Sequence, residues 1–233
     1  MLLAVMVLAA GCGGGGGGKL TVFAASSLTE VFQQLAPGTR FEFAGSDTLA
    51  TQLRDGARAD LYAAASTRYP KELYAEGLVE KPVVFATNRL VLIVPADNPA
   101  GITSVSDLRR PGIRLVIAAD GVPVGDYTRK ALGQLGETEA LARVVSEEQD
   151  VKGIASKVAL GEADAGFVYA TDVRPVVDKV QAIELPASVR TRALYSAAVV
   201  AGTEHRQEAV RFLALLHSER GRAALREAGF GLP

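Results

Sequence analysis

Short apolar runs alternate with amphipathic stretches along most of the chain. Lys19–Ala24 (KLTVFA), Arg40–Ala44 and Ala59–Ala64 read as strands. Between and after them, Leu28–Ala36, Thr48–Asp55 and Arg68–Glu76 read as helices, with Gly56 and Gly77 at the stops of the last two. The pattern then repeats. Asn88–Pro95 (NRLVLIVP) is a strong apolar strand, Ser106–Arg109 a short helix and Arg114–Ala118 a strand. Gly125–Leu135 and Val151–Leu160 are helices ending at Gly136 and Gly161, and Ala165–Tyr169 is a strand. Tyr195–Val200 is a further strand, and Glu204–Ala228 holds one or two amphipathic helices.

This order predicts an α/β fold of two lobes, each a mostly parallel sheet flanked by helices. The expected first lobe is residues 19–86 plus 191–233, and the second is 87–190. In open α/β sheets a ligand sits beyond the carboxyl ends of the strands, where helices begin. The cleft between the lobes is therefore the place to look for a site.

Residues 1–18 stand apart from this pattern. Residues 2–10 (LLAVMVLAA) are apolar but too short to span a bilayer as a mature helix, and they end in small residues, as a signal peptide does. Leu8-Ala9-Ala10-Gly11-Cys12 resembles a bacterial lipobox with alanine where leucine is usual, which makes Cys12 a candidate for lipidation. An ordinary cleaved signal with an incidental cysteine is the alternative. Gly13 to Gly18 form an unbroken run suited to a flexible tether.

Composition narrows the function. The 233 residues carry a net charge of −1, which points to neither nucleic acid nor an anionic membrane surface. Cys12 is the only cysteine, so no intrachain disulfide forms, and no Cys/His cluster suggests a zinc site. The two histidines, His205 and His217, share one C-terminal helical stretch and read as surface residues. No Gly-x-Ser-x-Gly elbow precedes a helix, which argues against a serine hydrolase.

Four strand-to-helix turns carry the informative residues. Ser27 and Ser46 stand at two helix starts, Val122-Pro123-Val124-Gly125 opens a third helix and Glu148-Gln149-Asp150-Val151 a fourth. A helix start offers free N–H groups and a partial positive charge, so it holds an anion without a formal cation. Each serine also has a plainer reading as a helix cap, and Ser27-Leu28-Thr29-Glu30 has the form of a capping box. Tyr169, ending an apolar strand, is either an oxyanion donor or a core tyrosine.

Taken together, TVFAASSL (21–28), FAGSDTLATQL (43–53), GARADLYAAA (56–65), NRLVLIVP (88–95), VPVGDYTRKAL (122–132), DVKGIASKVALGEADAGFVYATD (150–172) and AGFGLP (228–233) resemble the periplasmic molybdate-binding proteins of molybdate ABC transporters. The resemblance covers Lys19 to Pro233. It implies a type II periplasmic-binding-protein fold and a tetrahedral oxyanion, molybdate or tungstate, held between the lobes. It implies hydroxyl contacts from Ser27, Ser46 and Tyr169 and amide contacts from Val124 and Val151. It also implies delivery to a membrane permease by a monomer with no cofactor and no metal cation, molybdenum entering only as molybdate. Asp47 stands where the family often has serine, and is expected to point outward and support the helix dipole. Asp60 and Asp172 match family positions without an assigned contact. The fold alone leaves sulfate or phosphate open as the ligand.

Overall fold

A computed structural model describes residues 19–189 and 191–233. Cys12, the apolar run before it, the glycine run after it and Arg190 lie outside the described residues. In chain order the first elements are β1 (Thr21–Ala25), α1 (Thr29–Leu35), β2 (Arg40–Ala44), α2 (Ser46–Arg54), β3 (Leu61–Ala64) and α3 (Arg68–Ala75). The long strand β4 (Val83–Pro95) leads to β5 (Leu115–Ala118), α4 (Pro123–Leu135), β6 (Val144–Glu148), α5 (Val151–Ala159) and β7 (Ala165–Tyr169). The chain closes with β8 (Val180–Glu184), β9 (Arg192–Val199), α6 (Arg206–His217) and α7 (Glu219–Glu227).

The strands run in the order β2-β1-β3-β9-β4-β7-β5-β6, with β8 also on β4. The fold is the two-lobed α/β arrangement expected. Its parallel pairings are confined to β2-β1-β3 on one side and β7-β5-β6 on the other. The strands that join these triplets, β9 and β4, pair antiparallel. β4 is five residues longer at its start than its apolar run suggests. It pairs with β9 through Arg89 and with β7 and β8 from Leu90 or Val91 onward. One continuous strand thus belongs to both sheets.

Apolar residues buried on both faces of the sheets explain the strong strand signals. β3 and β5 (LYAA and LVIA) are buried at every position, as expected of strands covered by helices on both sides. β6 and β8 are not predicted by the pattern, because their residues alternate with exposed and charged positions. Phe32 of α1 anchors the first lobe, meeting the Phe212 ring edge-on at 5.2 Å. At the junction Tyr195 of β9 stands between Phe230 and Tyr169, with ring centroids 5.3 and 5.8 Å away. Aromatic packing therefore connects β9 of one sheet to the end of β7 of the other.

Candidate functional site

Ser27, Ser46, Val124, Val151 and Tyr169 come from five separate chain segments, and all line one hollow between the two sheets. Each residue lies at or just beyond the carboxyl end of a strand or at the helix start that follows one. The hollow is about 10 Å³, far below the roughly 300 Å³ at which pockets for organic ligands begin.

Neither serine caps a helix. β1 runs into a 3-10 turn, Ser26–Leu28, and no side-chain cap bond forms there or at the start of α1. The capping box suggested by Ser27-Leu28-Thr29-Glu30 is absent, because Ser27 is drawn into the core. Its Oγ lies 2.8 Å from the Tyr195 hydroxyl. Gly45, not Ser46, is the N-cap of α2, and Ser46 is the first residue of the helix. The Ser46 Oγ accepts from the Ala65 amide at 3.1 Å, while its carbonyl accepts from the Tyr62 hydroxyl at 2.5 Å. With its oxygen so engaged, the Ser46 hydroxyl keeps a hydrogen to give.

The two amides are equally well prepared. α4 opens with Val122 as N-cap and Pro123 at its first turn, so the Val124 N–H has no acceptor within the helix. At α5 the Asp150 carboxylate caps the helix, accepting from the amides of Lys152 and Gly153 at 2.8 and 3.0 Å. Val151 is the first residue of that helix, so its amide likewise has no intrahelical acceptor.

Tyr169 completes the set. Five buried side-chain polar atoms lack a hydrogen-bond partner among the described residues. Of these the Tyr169 hydroxyl alone belongs to a residue lining the hollow. Burial pushes its pKa well above the ordinary tyrosine value, so the group stays protonated and able to donate. The lining includes no Lys, Arg or His, and its one charged residue, Asp150, is occupied as a cap. Neutral donors pointing into a site shielded from water suit an acceptor-only anion.

Across the seam the lobes touch at named points. The Tyr69 hydroxyl donates to the Gly121 carbonyl at 2.5 Å, and Lys152 pairs with Glu30 at 2.5 Å. A Cβ on Gly45 would overlap the Gln149 carbonyl, so only glycine lets α2 approach the β6–α5 turn this closely.

Asp47 departs from expectation. It does not point outward. Its Oδ1 folds back to within 2.7 Å of the position a Gly45 Cβ would take, buried and without a partner among the described residues. Burial raises its pKa, with the nearby Asp126 adding to the rise. It does not line the hollow. Tyr195 and Ala65 carry roles that strand and helix patterns do not reveal, because each acts through a contact distant in sequence.

Residues 20–231 match the family model described as bacterial extracellular solute-binding protein. The chain belongs to this family. Among curated relatives, the molybdate-binding protein ModA of Mycobacterium tuberculosis is 38% identical over 224 residues, spanning 92% of this chain and 85% of the relative. ModA of Haemophilus influenzae is 30% identical over 244 residues, 97% of this chain and 95% of the relative. The solved periplasmic molybdate-binding protein of Azotobacter vinelandii superposes with a TM-score of 0.81 at 23% identity, covering 92% and 100% of the two chains. That last likeness bears on the fold of this solute-binding protein and not on its ligand. Among the described residues, no helix of this solute-binding protein is long and apolar enough to cross a membrane.

Proposed function

We propose that this solute-binding protein captures molybdate, and also tungstate, between its two lobes and delivers it to the permease of an ABC transporter. Residues 19–86 with 191–233 form one lobe in this reading, and 87–190 the other. Ser27, Ser46 and Tyr169 give hydroxyl hydrogens to the oxyanion, and Val124 and Val151 give amide hydrogens. No metal cation, cofactor or catalytic step takes part. The observation that carries the reading is the convergence of these donors on one small hollow that contains no formal cation. The names of the relatives support molybdate as the anion. Charge-assisted hydrogen bonds in a desolvated site supply the affinity.

Calorimetric titration with molybdate, tungstate, sulfate and phosphate tests this directly. Molybdate and tungstate are nearly equal in size and should bind tightly at one site per chain. Sulfate is smaller, leaves some donors out of reach and should bind much more weakly. Equal or tighter binding of sulfate or phosphate would overturn the assignment in favour of that anion.

The same proposal places the protein outside the cytoplasm as a monomer, held at the membrane by lipid on Cys12. One acyl chain anchors marginally and several anchor stably. Native protein should sediment with membranes, and Cys12→Ala should release it or block its processing. Recovery of the unaltered protein wholly in the soluble fraction would contradict the anchor.

A further inference from the structure

We infer that Tyr195 and Asn88 act as positioning residues that turn the Ser27 hydroxyl so that its hydrogen faces the oxyanion. The inference rests on the proposed ligand site and adds to it two residues that do not line the hollow. Tyr195 is fully buried on β9, and Asn88 is buried on β4, the strand shared by both sheets.

The direction of each hydrogen follows from counting donors. The Asn88 Oδ1 accepts from the Arg89 amide at 2.9 Å, which fixes the side-chain amide with its NH₂ group on the other side. That NH₂ donates to the Thr171 hydroxyl at 2.9 Å and, through a longer bond of 3.4 Å, to the Tyr195 hydroxyl. An amide nitrogen cannot accept, so the Tyr195 hydrogen has the Ser27 Oγ, at 2.8 Å, as its acceptor among the described residues. Were Ser27 the donor instead, the Tyr195 oxygen would receive two hydrogens and its own would be buried with nowhere to go. Tyr195 therefore donates to Ser27, and the Ser27 hydrogen is left for the hollow. Burial pushes the Tyr195 pKa well above the ordinary value, which keeps this hydrogen in place. Ser46 reaches the same state through the Ala65 amide. In both cases a donor from the protein occupies the serine oxygen, and the serine becomes a committed donor to the anion.

The test is a double-mutant cycle read by titration of the full chain with molybdate, with a thermal melt of each variant. Tyr195→Phe should weaken binding roughly five- to tenfold, the size expected for one hydrogen bond. In a Ser27→Ala background the same change should alter affinity less than about twofold, because Tyr195 acts only through Ser27. A purely packing role for Tyr195 predicts equal losses in both backgrounds. Equal losses, or no loss in either, overturn the inference. If Tyr195→Phe does not melt cooperatively, Asn88→Ala makes the same forecast, with a loss that disappears in the Ser27→Ala background. If Ser27→Ala itself binds molybdate as the unaltered protein does, Ser27 is not a contact and the inference falls while the molybdate reading stands. If the unaltered protein does not bind molybdate, both fall.

Discussion

Two of the recesses among the described residues have opposite character. One is a groove of about 590 Å³ on the first lobe, lined among others by Lys19, Arg58, Asp60 and His205. The other is the hollow of about 10 Å³ between the lobes. By size the groove is the better candidate for a ligand. Its buried acid, however, is already satisfied: Asp60 accepts from the Thr21 amide at 2.7 Å and from the Thr203 hydroxyl. These bonds tie β1 to the turn after β9 and leave Asp60 a structural role. In the small hollow, the buried Tyr169 hydroxyl has no partner among the described residues, and two helix-start amides have no acceptor within their helices. On the proposed function, unspent donors and not volume mark the anion site, since a buried polar group left unpaired carries a cost that a ligand removes.

Two substitutions probe this contrast. Ser46→Ala removes a committed donor and should weaken molybdate binding by about 1.5–3 kcal/mol, the range for a hydrogen bond to a charged group. An unchanged affinity in titration would return Ser46 to a purely structural role in holding Ala65. Gly45→Ala places a methyl group against the Gln149 carbonyl and should prop the seam open, weakening binding by about 1–3 kcal/mol, the usual cost of overpacking. Within the first lobe the methyl group crowds only the movable end of the Asp47 side chain, so the melting temperature without ligand should hardly move. Wild-type affinity in this variant would show that the seam need not close this tightly.

Asp172 sharpens the contrast by being unpartnered in a different way. Its Oδ2 is buried without a partner among the described residues, yet it does not line the hollow. Burial pushes its pKa up from the ordinary value of 3.8 to about 8. The folded state therefore holds a proton that the unfolded chain has already released, and stability from this group is lost as pH rises from about 4 to 8. Asp172→Asn should raise the melting temperature more at pH 8 than at pH 5 while leaving molybdate affinity within about twofold. An equal effect at both pH values would mean that Asp172 is not protonated in the fold.

Much of the scaffold is legible in the chain. Arg40–Ala44 and Ala165–Tyr169 appear as strands with the bounds read from the pattern, because RFEFA alternates charged and aromatic residues and AGFVY is an unbroken apolar run. The two lobes follow from the repeated βα order. β6 and β8 are hidden because VVSEE and VQAIE mix charged and apolar residues at sheet margins. The first half of β4 is hidden because its pairing with β9 joins residues about 100 positions apart. The site divides in the same way. The helix starts at Val124 and Val151 are local features and can be read locally. Whether a serine caps a helix or faces a ligand depends on Tyr195 and Ala65, 168 and 19 residues away. Asp47 departs from the local rule about helix dipoles, because its Oδ1 turns back toward Gly45 and is buried.

The most direct test of the claim that unspent donors, and not volume, mark the site sets one recess against the other. Tyr169→Phe and Asp60→Asn each change one polar group, one in each recess, and both are titrated with molybdate and melted without it. Tyr169→Phe should lose about 1.5–3 kcal/mol of binding and keep its melting temperature, because the deleted hydroxyl has no partner in the unliganded fold. Asp60→Asn should melt lower and bind as the unaltered protein does. If Asp60→Asn weakens molybdate binding while Tyr169→Phe leaves it intact, the groove is the site and the account is wrong.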